Sequence, residues 1–220
     1  MAKVGVISRY FGFSVGGAEF TILEMLKKIE SDGNEIVAFM NVCPHGFSAN
    51  KLRTDLPLTW DIRPFRVNFQ WTKFLYIEYF LNYRRLKSIV QTHNDIEKLY
   101  VYGFWGPAII KGAKCECVYI ARDEWAIGNS KNYYGGFKKI AYFMYQLTEL
   151  LFRQNWKRDL FKAMSICSEV IVSSEFMANQ LISVFKGSNV SIIKPIINRQ
   201  TLTDNFEKAK TNLKNFRQGI

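Results

Sequence analysis

The stretch KVGVISRYFGFSVGGAEFTILEMLKKIESDGNEIVAFM, residues 3–40, decides how the rest of the chain reads. It opens with KVGVIS (3–8), a short and nearly continuous apolar run of the kind buried on both faces of a parallel sheet. A loop, RYFGFSVGG (9–17), follows. From about Ala18 to Glu30, Ala18, Ile22, Leu23, Met25, Leu26 and Ile29 recur at helical spacing, and SDGN (31–34) stops the helix. EIVAFM (35–40) is then a second apolar strand. Strand, helix and strand in so short a span predict a right-handed parallel crossover, and with it an α/β fold.

The alternation continues along the chain. PLTWDIR (57–63) reads as a strand, Thr72 to Gln91 as a helix, KLYVYGF (98–104) as a strand, and a short helix follows Pro107. ECVYIA (116–121), EVIVSS (169–174) and VSIIKP (190–195) are further strands, separated by a long helix from about Phe137 to Met164 and the helix EFMANQLISVF (175–185). The expectation is a doubly wound, mainly parallel sheet of about seven strands with flanking helices. Ligands of such sheets sit in the crevice at the C-terminal ends of the strands, so functional residues are sought just after strands. One domain is expected over 1–198, with 199–220 a polar, helix-prone tail or the start of a linker.

Composition limits the remaining possibilities. No apolar run of about 18 residues free of charge occurs, and MAKVGVIS lacks the layout of a signal peptide, so a cytoplasmic protein is expected. Cys43, Cys115, Cys117 and Cys167 include no C-x-x-C, and with only His45 and His93 beside them no zinc set is formed. The thiols are expected to be reduced and mostly buried. The net charge of +11 asks for an anionic partner: nucleic acid, an anionic membrane surface or a phosphorylated substrate. A basic surface that serves only solubility accounts for it equally well.

Three places could carry chemistry. Gly16 and Gly17 sit in the first strand-to-helix turn, where glycine lets backbone N–H groups approach an anion at a helix N-terminus. Their spacing with Gly12 is neither G-x-G-x-x-G nor a P-loop, and a plain tight turn would also use them. In YIARDEWAIG (119–128), Arg122, Asp123, Glu124 and Trp125 directly follow a strand; charge beside an aromatic ring suits a sugar, and an Arg122–Asp123 ion pair is the alternative. In VSSEF (172–176), Ser173 or Ser174 can cap the next helix, with Glu175 in its first turn; the same terminus could also face a ligand.

An apolar first strand followed by VGGAE, then YVYGFWGPAIIKGAK leading to YIARDEW, then EVIVSSEFMANQL and IIKPIIN, together resemble the N-terminal half of a GT-B glycosyltransferase, and more narrowly the large retaining family 4. The resemblance runs from Lys3 to about Asn198 and rests on the order and spacing of motifs that are each weak. It implies a Rossmann-like domain that mainly binds acceptor and faces a second, donor-binding domain across a cleft. It further implies that Gly16, Gly17 and Glu19, Arg122, Asp123 and Trp125, and Ser174 and Glu175 contact substrate. The two glycines would lie on the cleft floor near the donor's diphosphate and the transferred sugar. Arg122 and Asp123 stand where the family usually has His-Asp, so Arg122 could instead bind an acceptor phosphate or the diphosphate.

The family's second domain carries an E-x(7)-E motif and a basic pair for the leaving diphosphate, and nothing after Asn198 is long enough to hold them. The resemblance therefore implies no catalytic residue, metal or cofactor in this half, with the nucleotide-sugar held by a C-terminal domain in cis or on another chain. This chain alone is expected to be inactive. The expected acceptor is a glycan or lipid-linked molecule, with retention, in synthesis of a cell-surface polysaccharide or glycolipid.

Two segments, 65–87 and 131–162, mix basic and aromatic residues, and the second holds seven basic residues against two acidic. A basic helix flank of this kind can lie on an anionic bilayer, through Lys138, Lys139, Arg153, Lys157 and Arg158, which would make the protein peripheral at the inner face of the cell membrane. Ile140, Phe143, Met144, Leu147, Leu150 and Leu151 are expected to face the core instead. Rival readings are a nucleic-acid-binding module, which charge supports but no recognised motif does, and a noncatalytic partner of a split glycosyltransferase.

Overall fold

The computed structural model describes residues 1–9, 11, 17–42, 56–68, 75–121, 139–172, 174–184 and 190–192. Within the helices, the side chains of 17–20, 139–146, 148–150, 176, 180 and 183–184 lie outside this description. In chain order the elements are β1 (Lys3–Ile7), α1 (Gly17–Ser31), β2 (Glu35–Asn41), β3 (Asp61–Phe65), α2 (Leu75–Ser88), β4 (Lys98–Tyr102) and α3 (Gly106–Ile110). They continue with β5 (Glu116–Ala121), α4 (Lys139–Ile166), β6 (Glu169–Val172), α5 (Glu175–Val184) and β7 (Val190–Ile192).

The strands form one seven-stranded sheet in the order β3-β2-β1-β4-β5-β6-β7, and every pairing is parallel. Because β1 lies between β2 and β4, the winding reverses there, and the crevice beyond the C-terminal ends of β1 and β4 is where such a sheet takes its ligand. The alternation of side chains along each strand serves two cores. Val4, Val6, Ile36 and Ala38 pack under Ile22, Leu23 and Leu26 of α1. Ile7, Val37, Phe39, Leu99 and Val101 turn the other way, toward α2, α3, α4 and α5. At about 25 cal/mol per Å² of apolar surface removed from water, these two layers are the main stabilising term of the fold.

Local chemistry explains the boundaries. α1 ends where Gly33 adopts φ 87°, in the left-handed region that favours glycine, with Gly33 N–H donating to Glu30 and Asn34 N–H to Ile29. The third strand begins at Asp61, four residues later than the sequence pattern suggested. Pro57 to Trp60 instead form a turn closed by Trp60 N–H on the Pro57 carbonyl, and the Trp60 ring drops into the α1-side core beside Phe11. Pro64 is tolerated within β3 because β3 is an edge strand. α2 ends at Ser88, short of the expected Gln91, and residues 72–74 of the expected helix lie outside the described residues.

Charged residues gather at the opposite, N-terminal edge of the sheet, and there they pair with each other. Arg63 makes a bidentate contact to Asp95 at 2.9 and 2.6 Å, Lys3 lies 3.7 Å from Glu35 and 3.5 Å from Asp95, and Lys98 lies 2.8 Å from Glu116. Such exposed pairs contribute about 0–1 kcal/mol each and point to no ligand.

Candidate functional site

The crevice between β1 and β4 is floored by polar groups that are buried rather than solvated. Ser8 and Arg9 leave β1 at 1% and 9% exposure, and Glu78 of α2 is completely buried. Arg9 Nη2 donates to Glu78 Oε2 at 2.6 Å, and the indole Nε1–H of Trp105 donates to Glu78 Oε1 at 3.0 Å. Both carboxylate oxygens are thus engaged, and the guanidinium also lies 5.6 Å over the Trp105 ring. The cluster ties the chain leaving β1 to helix α2 and the turn after β4.

Each partner has a local reason for its place. Glu78 lies on a helix face with Tyr76, Tyr79, Asn82 and Leu86, all buried. Asn82 braces that face, accepting from Asn68 N–H at 3.2 Å and donating to the Glu78 carbonyl at 2.9 Å. Trp105 is delivered by the turn at Gly103, whose φ of 77° sends the chain from β4 directly into α3. Below it, Phe104 stacks on Trp156 at 4.7 Å, and Trp156 Nε1–H donates to the Phe104 carbonyl at 3.0 Å. Tyr76 and Tyr79 close on Phe104 edge to face at 5.1 and 5.8 Å. The Ser8 hydroxyl, buried at the same edge, has no hydrogen-bond partner among the described residues.

A second polar cluster ties α2, α3 and α4 together. Tyr79 OH donates to Asp159 at 3.1 Å, and Lys111 Nζ pairs with the same carboxylate. Burial, reinforced by Asp159, pushes the Tyr79 phenol well above its ordinary value, so it remains a neutral donor at physiological pH.

Of the residues singled out from sequence, Gly17 opens α1, the first helix after β1. Glu19 falls in the first turn of α1, with its side chain outside the described residues. Gly16, Arg122, Asp123 and Trp125 lie outside the described residues. Ser174 is a helix cap: its Oγ accepts from Met177 N–H at 3.3 Å and its carbonyl from Ala178 N–H at 3.0 Å, while Glu175 sits exposed in the first turn of α5. Arg158 is exposed and Arg153 and Lys157 are half-buried on α4; Lys138 and the side chain of Lys139 lie outside the described residues.

Leu147 and Leu151 correct the expectation of a core-facing stripe. They are 43% and 57% exposed, and α4 meets the core through Trp156, Leu160, Ala163 and Met164. The side chains of Ile140, Phe143, Met144 and Leu150, the rest of that stripe, lie outside the described residues. The expected burial of the thiols holds for Cys117, whereas Cys115 and Cys167 are half-buried and Cys43 lies outside the described residues.

Sequence reasoning missed Arg9, Glu78 and Trp105. A signal was present: Glu78 is the only acidic residue in 65–87, a stretch otherwise read as a basic and aromatic surface.

No family model and no curated protein matches the chain. Solved structures do. Sucrose-phosphate synthase from Thermosynechococcus elongatus superposes with a TM-score of 0.60 at 9% identity, over 88% of this chain and 48% of that one. LpCGTa in complex with UDP gives 0.55 at 12%, over 89% and 54%, and Phytolacca americana UGT2 complexed with UDP-2fluoro-glucose and pterostilbene gives 0.53 at 9%, over 90% and 54%. These are GT-B glycosyltransferases, and the chain spans about half the length of each. At such identities the likeness is one of fold: an α/β, Rossmann-like, all-parallel sheet of the kind found in a GT-B half.

Proposed function

We propose that this chain is the acceptor-binding half of a glycosyltransferase, transferring a sugar from a nucleotide-sugar to a glycan or lipid-linked acceptor. The observation that carries the reading is the sheet itself. Its order, its crevice at β1 and β4, and its match to about half of several GT-B chains are what a two-domain transferase requires of one side of its cleft. The nucleotide-sugar is held by a second, donor-binding domain, in cis or on a separate chain, and transfer needs both. Retention in the manner of family 4, a role in cell-surface polysaccharide or glycolipid synthesis, and a position at the inner face of the membrane follow from the sequence resemblance.

On this reading the residues of this half bind and orient rather than exchange protons. The Arg9–Glu78–Trp105 tie holds the chain leaving β1 against α2 and α3. Gly17, at the start of α1, leaves room for substrate and presents backbone N–H groups to it. Arg122, Asp123 and Trp125, in the segment of sequence that follows β5, add acceptor or diphosphate contacts. The test is Gly17→Trp in the enzyme with its donor-binding domain present: transfer is abolished while the unfolding midpoint stays close to the parent. Retained transfer would remove Gly17 from the cleft.

A further inference from the structure

Five of the large hydrophobic side chains that the structure leaves in solvent fall on just two helices: Ile166 at the far end of α4, and four that lie nearer the crevice. Phe80 and Leu81 of α2 are 56% and 48% exposed, and Leu147 and Leu151 of α4 are 43% and 57% exposed. Single exposed apolar residues are ordinary, but neighbouring ones mark a surface that meets something. The two pairs belong to one surface, because α2 and α4 pack together and Phe80 lies 5.1 Å from Phe152, the residue next to Leu151. Both helices start from the C-terminal edge of the sheet; Leu147 and Leu151 lie in the first half of α4, and Phe80 and Leu81 at the middle of α2. Glu78, two positions before Phe80, is already at the crevice floor.

Among the described side chains, the exposed charges around this surface have one sign. Among described side chains, α2 carries three basic residues and α4 four, against one carboxylate each. Both carboxylates are turned inward, Glu78 onto Arg9 and Asp159 onto Lys111. Arg84, one turn beyond Phe80, and Arg158, two turns beyond Leu151, are exposed. A second copy would set this cationic surface against itself, at a cost in repulsion. The chain's own segment 199–220 is also basic, five residues against two, and suits it no better.

We infer that the α2–α4 face docks on an anionic lipid bilayer. Phe80, Leu81, Leu147 and Leu151 enter the boundary between headgroups and acyl chains, and Arg84 and Arg158 contact anionic headgroups. Docking this way sets the crevice beside the membrane, within reach of a lipid-linked acceptor. That last step rests on the proposed transferase role; the bilayer contact does not, and it is read without transfer.

The experiment is co-sedimentation of the 220-residue chain with phosphatidylcholine vesicles, with and without phosphatidylglycerol. Binding is expected only with phosphatidylglycerol, weakening as salt is raised. Arg84→Ala with Arg158→Ala weakens it by roughly 25-fold, taking about fivefold for each basic residue at the surface. Phe80→Ser with Leu151→Ser also releases the chain, with an unchanged far-ultraviolet circular dichroism spectrum. Lys27→Ala with Lys28→Ala removes the same charge from exposed positions on α1, across the sheet, and leaves binding within about twofold, because charges beyond a Debye length of about 10 Å act weakly. Equal losses from the two charge pairs, equal binding to neutral vesicles, or a dimer in light scattering that the Phe80 and Leu151 changes dissolve would each overturn the inference.

Discussion

Replacing Glu78 with alanine strikes the polar floor of the crevice at its centre. The carboxylate holds Arg9 at 2.6 Å and Trp105 Nε1–H at 3.0 Å, and it is fully buried. Its removal takes the Glu78 carboxylate away from a guanidinium that is only 9% exposed, in a site too closed to hydrate it. Breaking a buried pair from one side costs about 3–5 kcal/mol. The orphaned indole donor would cost about 1–3 kcal/mol in isolation, but the two groups share one acceptor and their costs do not simply add. Against a whole-domain stability of about 5–15 kcal/mol, the loss is a large fraction and lowers Tm by roughly 6–20 °C. Urea unfolding followed by circular dichroism measures it, with an unchanged m value expected. Arg9→Met together with Glu78→Leu removes both charges at similar volume, and most of the stability returns, because desolvation of the pair had offset much of its attraction. If Glu78→Ala costs less than about 1 kcal/mol, or the double variant is as unstable as the single one, the pair is not the closed tie described above.

Three further outcomes follow from individual residues. A Cβ on Gly112 would stand 1.9 Å from the Lys87 carbonyl oxygen, backbone that cannot step aside, so Gly112→Ala forces α2 and the α3 exit apart and costs about 1–3 kcal/mol or more by urea unfolding. The Cys117 thiol beside it lowers the half-buried Cys115 to about 7, whereas burial pushes Cys167 up to about 12. Iodoacetamide should therefore label Cys115 increasingly as pH rises through neutrality, leave Cys167 untouched until strongly alkaline pH, and lose the neutral phase in Cys115→Ser. The Arg63 hydrogen bonds pull the Asp95 carboxyl far below its ordinary value, and a carboxyl lowered on folding adds stability above its unfolded pKa that is lost as pH falls toward the folded one. Asp95→Asn should accordingly be less stable than the parent at neutral pH and show a shallower loss between about pH 4 and pH 2 in urea titrations, by a modest margin because the pair is partly exposed.

Much of the architecture is legible in the sequence because parallel strands buried on both faces write themselves as continuous apolar runs. KVGVI, EIVAFM, ECVYIA and EVIV needed no further context to be placed within a residue or two. The edge strand was misplaced because PLTW precedes DIRPF with similar composition, and only the packing of Trp60 against Phe11 separates turn from strand. Ser174 was legible as a cap, since its chemistry is local. The crevice floor was not, because Arg9, Glu78 and Trp105 are far apart in the chain and meet only once β1, α2 and β4 are assembled. Leu147 and Leu151 misled for a related reason: helical periodicity says which residues share a face, but not whether another element covers it.

The central claim, that this chain is one half of a glycosyl-transfer site, is tested most directly by a transfer assay. The chain alone and the chain with its donor-binding domain would be compared over a panel of nucleotide-sugars and lipid-diphosphate acceptors. The account predicts transfer only when the donor-binding domain is present, and loss of that transfer in Gly17→Trp. Robust transfer by the 220-residue chain alone would contradict it.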